Sequence, residues 1–206
     1  MIEEVSTVIL AGGQSRRFRG RDKARAALAG RSLIHHALDG WRGRVGELLI
    51  SGRAGEDYSD LGVPVILDRF PTSEGPLAGI ARAFEHTAYP CLMTVPCDAP
   101  GVDAGICLPL LETLHRSGAE VAIAHDGIRV QPLIALYRRD AGESLRRYLA
   151  GGRRSVQGWQ AELHHVIVRL CNGAVPFANI NTPEDLAAVE ARNRIAPIAA
   201  RMSTAP

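Results

Sequence analysis

The sequence predicts an α/β fold built on a mostly parallel sheet with helices on both faces. Apolar runs of strand length recur at 5–11, 47–51, 63–67, 91–95 and 119–124. They are continuous rather than alternating, as strands buried on both faces are. Helix-like segments lie between them, the order that builds such layered sheets. The first strand also runs directly into "LAGGQSRRFRGRDK", where Arg16, Arg17, Arg19, Arg21 and Lys23 face Asp22 alone, and the loop after the first strand of such a sheet is a frequent phosphate cradle.

The elements follow in order. Ser32 is placed to cap a helix carrying Leu33, Ala37 and Leu38. Gly75 and Pro76 set a proline at the start of a helix that carries Leu77, Ile80, Ala81 and Phe84, and another helix is expected over 103–116. From 125 to 170 the pattern is less regular: Pro132 interrupts an apolar run, "AGGRRS" reads as a loop and "LHHVIVRL" as a strand. An insertion or a sheet edge is expected there. "NINTPEDLAAVEARN" opens a helix capped by Thr182 with Pro183 first. One domain over 1–190 and a mobile tail over 191–206 are expected.

Composition narrows the partners. With 46% hydrophobic and 22% charged residues in a chain of 206, neither disorder nor a fibre is indicated. The net charge is only +2, which argues against a global grip on nucleic acid and makes the basic loop a local feature. No stretch approaches the roughly 18 apolar residues of a membrane span, and "MIEEVSTVIL" has acids where a secretion signal starts basic. The cytoplasm is the expected compartment. Cys91, Cys97, Cys107 and Cys171 form no C-x-x-C pair and are expected to be reduced packing thiols.

Gly12 and Gly13, without β-carbons, let the backbone turn tightly and bring N–H donors toward phosphate oxygens. Neither the P-loop pattern nor G-x-G-x-x-G is present. Asp98 ends a strand-like run between prolines in "CLMTVPCDAP", at the ligand edge of the sheet; it suits Mg²⁺, which takes one or two carboxylates and completes its shell with phosphate and water, or it forms a turn. Asp68 ends "VPVILD" in the same manner, and contact with base or ribose, help to the metal and capping of the next loop are all open to it. Gly75, Pro76 and Gly79 suggest a close approach to the ligand. Asn179 and Asn181 share a face if extended and either read a polar heterocycle or satisfy local backbone. Arg153 and Arg154 grip a second anion or are solvated. The adjacent histidines 35–36 and 164–165 do not share a face, so neither pair makes a metal site by itself.

Taken in order, "LAGGQSRRF", "GRDK", "GPLAGI", "PCDAP", "QPLIALY" and "NINTPEDL" resemble the molybdenum cofactor guanylyltransferases over about residues 5–190. The resemblance implies a Rossmann-like fold of the nucleotide-diphospho-sugar transferase type, and an Mg²⁺-dependent enzyme. Such an enzyme joins GMP from GTP to the molybdenum-carrying molybdopterin, releases pyrophosphate and forms the guanine dinucleotide cofactor. It implies nucleotide contacts from Leu10, Ala11, Gly12, Gly13, Lys23, Ser51, Asp68 and Asp98, catalytic roles for Lys23, Asp98 and Arg17, metal binding by Asp98, and a pterin side at Arg153, Asn179 and Asn181. Other cofactor-synthesis proteins and recipient molybdoenzymes are the implied protein partners. The sequence departs from the family's common R-M-G-G-x-D-K at Phe18 and Arg19. A cytidylyltransferase on the same pterin, a relative acting on another phosphorylated metabolite and a non-catalytic carrier are the alternatives.

Overall fold

The computed structural model describes residues 1–12, 23–67, 75–170, 179–180, 182 and 184–189. In chain order the elements are β1 (Ile2–Leu10), a short hairpin of β2 (Ala27–Leu28) and β3 (Arg31–Ser32), α1 (Leu33–Asp39), β4 (Val45–Gly52), β5 (Val65–Leu67), α2 (Pro76–His86), β6 (Cys91–Pro96), α3 (Cys107–Ser117), β7 (Val121–His125), β8 (Val130–Arg138), α4 (Ala141–Ala150), α5 (Val156–Gln160) and β9 (His165–Arg169). Residues 184–189 are also helical. The tail expected over 191–206 lies outside the described residues.

Seven strands form one sheet in the order β5-β4-β1-β6-β8-β7-β9. β1 pairs in parallel with β4 and β6, β4 with β5, and β7 with β9. β8 alone is antiparallel to its neighbours. The carboxyl ends of the other six strands and the start of β8 therefore share one edge.

That placement bears out the edge expected within 125–170 at β9, the strand read at "LHHVIVRL", and corrects the expectation at β8, which is an interior strand. Pro132 is tolerated because the ladder breaks around it: Ile123 lies opposite Ala135, while the next residue, Ala124, lies opposite Gln131. A proline without an N–H is admitted at such an irregularity. Its carbonyl accepts a hydrogen bond from Gln160 Nε2 at 2.8 Å.

Both faces of the sheet are covered. In β1, Val5 and Ile9 pack with α1 and α3, while Val8 and Leu10 pack with α2, α4 and α5. In β6, Cys91, Met93 and Val95 take the first face and Leu92 the second. The period of two thus serves two cores, which is why the strands read as unbroken apolar runs. On α2, Leu77, Ile80, Ala83 and Phe84 are buried at helical spacing.

Local chemistry agrees with the elements at most ends. Pro76 opens α2 behind Gly75, whose φ of 66° and ψ of −167° suit only glycine. Thr182 Oγ1 accepts from the Asp185 amide at 3.1 Å and Asp185 Oδ2 from the Thr182 amide at 2.9 Å, a reciprocal cap. The helix expected over 103–116 starts as a 3-10 turn at Ala104–Ile106, with Asp103 accepting from Gly105. Ser32 stands at the cap position of α1 but makes no capping bond; its hydroxyl meets His35 Nδ1 at 2.6 Å instead.

Candidate active site

The expected nucleotide residues of β1 and β4 sit side by side at the carboxyl edge. Leu10, the last residue of β1, lies between Ser51 on β4 and Pro96 on β6. Beyond it the chain turns toward β4: the amides of Ala11 and Gly12 both donate to the Ser51 carbonyl, at 2.9 and 3.1 Å. These two bonds tie the start of the loop expected to cradle phosphate to the end of β4. Gly13 lies outside the described residues.

The glycine at position 79 has a different use from the one expected. A β-carbon there would stand 2.3 Å from Ser51 Oγ and 3.7 Å from the Leu10 side chain. Its close approach is between α2 and the strands that make the floor of the site. No approach to a ligand is needed to explain it.

Lys23 begins a 3-10 turn, Lys23–Arg25, anchored by the buried Ala24. Arg25 fixes the turn's other end with both guanidinium nitrogens 2.7 Å from the Asp60 carboxylate. That contact holds the Asp60 carboxyl below the usual carboxylate range. From this turn Lys23 Nζ reaches Asp98 Oδ2 in an ion pair, with the two side chains only 19% and 16% exposed. Residues 75 apart in sequence are thereby joined.

Asp98 follows β6 in a turn closed by the Ala99 amide on the Pro96 carbonyl at 3.3 Å, and the Cys97 amide donates to the Leu10 carbonyl at 3.1 Å. The Asp98 carbonyl accepts from the Ile180 amide at 2.8 Å, which lays residues 179–180 beside it. Asp98 Oδ1 and Asn179 Oδ1 are both buried without a hydrogen-bond partner. Two unsatisfied oxygens at neighbouring positions, one anionic, suit a hard divalent cation. The donor set at Asp98 therefore fits Mg²⁺. Among the described residues there is no cluster of three His, Cys, Asp or Glu side chains that would suit a metal.

Arg153 lies in the loop between α4 and α5, at the carboxyl edge because α4 runs back from the far end of β8. Its guanidinium stacks 4.0 Å above the Tyr148 ring and pairs with Glu162. Tyr148 and Glu162 were not legible as its partners; the only trace is Gly158, where a β-carbon would meet the Tyr148 hydroxyl at 2.5 Å. Arg17, Asp68 and Asn181 lie outside the described residues.

Neither Cys91 nor Cys107 suits a nucleophile. Burial pushes the Cys91 thiol up to about 11 and the Cys107 thiol to about 12, so both stay protonated at neutral pH. Cys97 is also buried; Cys171 lies outside the described residues. A cleft of about 720 Å³ lined by Cys91, Arg138 and Asp140 opens at the opposite edge, where β6 begins and β8 ends. It contains none of the expected site residues.

Known proteins converge on the same reading. Residues 7–166 match the MobA-like NTP transferase domain. The chain is 36% identical over 185 residues to a molybdenum cofactor guanylyltransferase of Shewanella pealeana, across 89% of this chain and 92% of that one. A molybdopterin-guanine dinucleotide biosynthesis protein A from Archaeoglobus fulgidus superposes with a TM-score of 0.77 at 24% identity, covering 92% of this chain and 98% of that one. The 2-C-methyl-D-erythritol 4-phosphate cytidylyltransferase of Thermus thermophilus shares the fold with a TM-score of 0.69 at 22% identity, covering 93% and 99%. The fold is thus that of the nucleotide-diphospho-sugar transferases, and the chain belongs to the MobA-like NTP transferase family.

Proposed function

We propose that this protein is a molybdenum cofactor guanylyltransferase that transfers GMP from GTP to molybdopterin carrying molybdenum. The observation that carries the reading is the Lys23–Asp98 pair beside Leu10 and Ser51, a cation and a carboxylate at the phosphate edge of a chain from this family. The Shewanella relative with that printed name supports the choice of substrates.

The chemistry asks little covalent help from the protein. An oxygen of the cofactor's phosphate forms a bond to the α-phosphorus of GTP, the bond from that phosphorus to the α,β-bridging oxygen breaks, and its electron pair departs with pyrophosphate. The nucleophile is already anionic at neutral pH, so no general base is required. Lys23 interacts more strongly with the charge developing on the departing pyrophosphate than with bound GTP, and that difference lowers the barrier. Asp98 would hold Mg²⁺, which when bound supplies positive charge to the phosphate oxygens.

The cytoplasm is the proposed compartment. Among the described residues no helix is long and apolar enough to cross a membrane. GTP and the pterin are the small-molecule partners, and cofactor-synthesis proteins and recipient molybdoenzymes are the protein partners. The test is incubation of the purified protein with molybdenum-loaded cofactor, Mg²⁺ and each nucleoside triphosphate, then release of the attached nucleotide by mild acid. GMP is expected. CMP formed as fast or faster would overturn the guanylyl assignment, and no pyrophosphate release from any of the triphosphates would favour a carrier.

A further inference from the structure

We infer that the side-chain carbonyl oxygen of Asn179 is a second protein ligand for the divalent cation at Asp98, so that this asparagine completes the metal position and does not read the pterin. The inference rests on the metal-dependent reading above and deepens it.

The local arrangement of oxygens points to this role. One carboxylate oxygen of Asp98 is taken by Lys23, and the other, Oδ1, is buried with no partner. The Ile180 amide donates to the Asp98 carbonyl at 2.8 Å, and the residue just before Ile180 brings in another buried side-chain oxygen with no partner, Asn179 Oδ1. Buried polar atoms without partners are uncommon, and each calls for an explanation. Five such side-chain atoms occur among the described residues. The other three, on Thr7, Arg82 and Thr87, lie within β1, on α2 and just past its end, away from the carboxyl edge.

Two acceptors cannot satisfy each other, whereas a cation satisfies both. An amide oxygen also suits the charge balance. It adds a hard ligand without adding a second negative charge beside phosphates, and Mg²⁺ leaves its remaining positions to water and phosphate. In the free protein Lys23 already neutralises Asp98 through its other oxygen. Metal and lysine thus address different oxygens of one carboxylate, and arrival of nucleotide phosphates gives the ammonium an alternative anion.

Mn²⁺, which favours the same oxygen ligands, is the probe. The full chain would be titrated with Mn²⁺ up to millimolar concentration, with unbound ion followed by electron paramagnetic resonance. The titration would be run in wild type and in Lys23→Met, where the competing ammonium is absent and binding is expected to be tighter. In both backgrounds Asn179→Ala should weaken Mn²⁺ binding roughly tenfold or more. Asn179→Asp, nearly equal in size, should strengthen it. Asp98→Asn should weaken it at least as much as Asn179→Ala. Thermal unfolding identifies a variant that has lost its fold; if Asn179→Ala has, Asn179→Asp alone decides, and an affinity no tighter than wild type defeats the inference.

Unchanged affinity in folded Asn179→Ala, with weakened binding in Asp98→Asn, overturns the role of Asn179 and leaves Asp98 as the metal residue. Unchanged affinity in both, or no saturable binding even in Lys23→Met, removes the metal position itself and the inference with it.

Discussion

Two ion pairs hold cations of the expected site, and they differ in depth. Lys23–Asp98 is sheltered, with side chains 19% and 16% exposed; Arg153–Glu162 lies at the rim, with side chains 49% and 46% exposed. Each couples a cation expected to meet a substrate anion with a carboxylate that neutralises it meanwhile. At the rim water screens the pair, and such pairs contribute only about 0–1 kcal/mol. In the inner pair, removing one partner leaves a poorly solvated charge and an empty position at the proposed chemistry. The inner pair should govern turnover, and the outer one affinity for the second substrate.

The largest effect should come from Asp98→Asn, which nearly preserves size and removes the charge proposed to hold the metal. Turnover is expected to fall roughly a hundredfold or more, because metal stabilisation of phosphate charge supplies several kcal/mol. Raised Mg²⁺ should recover part of it. Near-normal turnover with unchanged Mg²⁺ dependence in a folded protein would erase the functional distinction between the two pairs.

Lys23→Ala comes next. The expected loss is roughly ten- to a hundredfold and falls mainly on kcat, because the lysine acts on charge that develops as the reaction proceeds. Steady-state kinetics with saturating cofactor separate the cases. A defect confined to the KM for GTP would make Lys23 an ordinary binding residue, no different in kind from Arg153.

At the rim, Arg153→Ala should raise the KM for the molybdenum cofactor several-fold, with kcat for bound substrates little changed, as roughly one charge-assisted hydrogen bond is lost. Thermal stability should barely move. A large fall in kcat would place Arg153 at the reacting phosphates and erase the comparison. The smallest effect is expected for Glu162→Gln: releasing the guanidinium from its carboxylate should tighten cofactor binding by about two- to threefold, readable by calorimetry. Weaker binding would mean that Glu162 holds Arg153 in its productive position.

The two pairs also show how far a sequence can be read. The central parallel strands β1 and β6 were legible because they bury both faces and so carry unbroken apolar runs. β8 was not legible as an interior strand, since Pro132 suggests an edge until the break in pairing with β7 is known. Lys23 and Asp98 were each identifiable, one by the basic loop and the other by its strand end. Their contact was not, because it depends on how the 3-10 turn at Lys23–Arg25 is held by Ala24 and Asp60. Gly79 signalled a close approach correctly and its object wrongly: one absent β-carbon looks the same whether a ligand or Ser51 Oγ needs the space. The partners of Arg153 left no periodic signal, because they come from the end of one helix and the residues after another.

The hydrogen bond from the Ile180 amide to the Asp98 carbonyl has a consequence for biosynthesis. Strand β1, made first, takes a central place once β4 and β6 have emerged, so much of the parallel sheet can assemble while translation continues. Asp98 must wait for Asn179 and Ile180. At typical elongation rates that interval lasts roughly 4 to 16 s, and through it a nascent chain has its β1–β6 floor without the segment that closes over Asp98. The contact that lays residues 179–180 beside Asp98 therefore belongs to the last stage of synthesis, after the sheet's centre has formed.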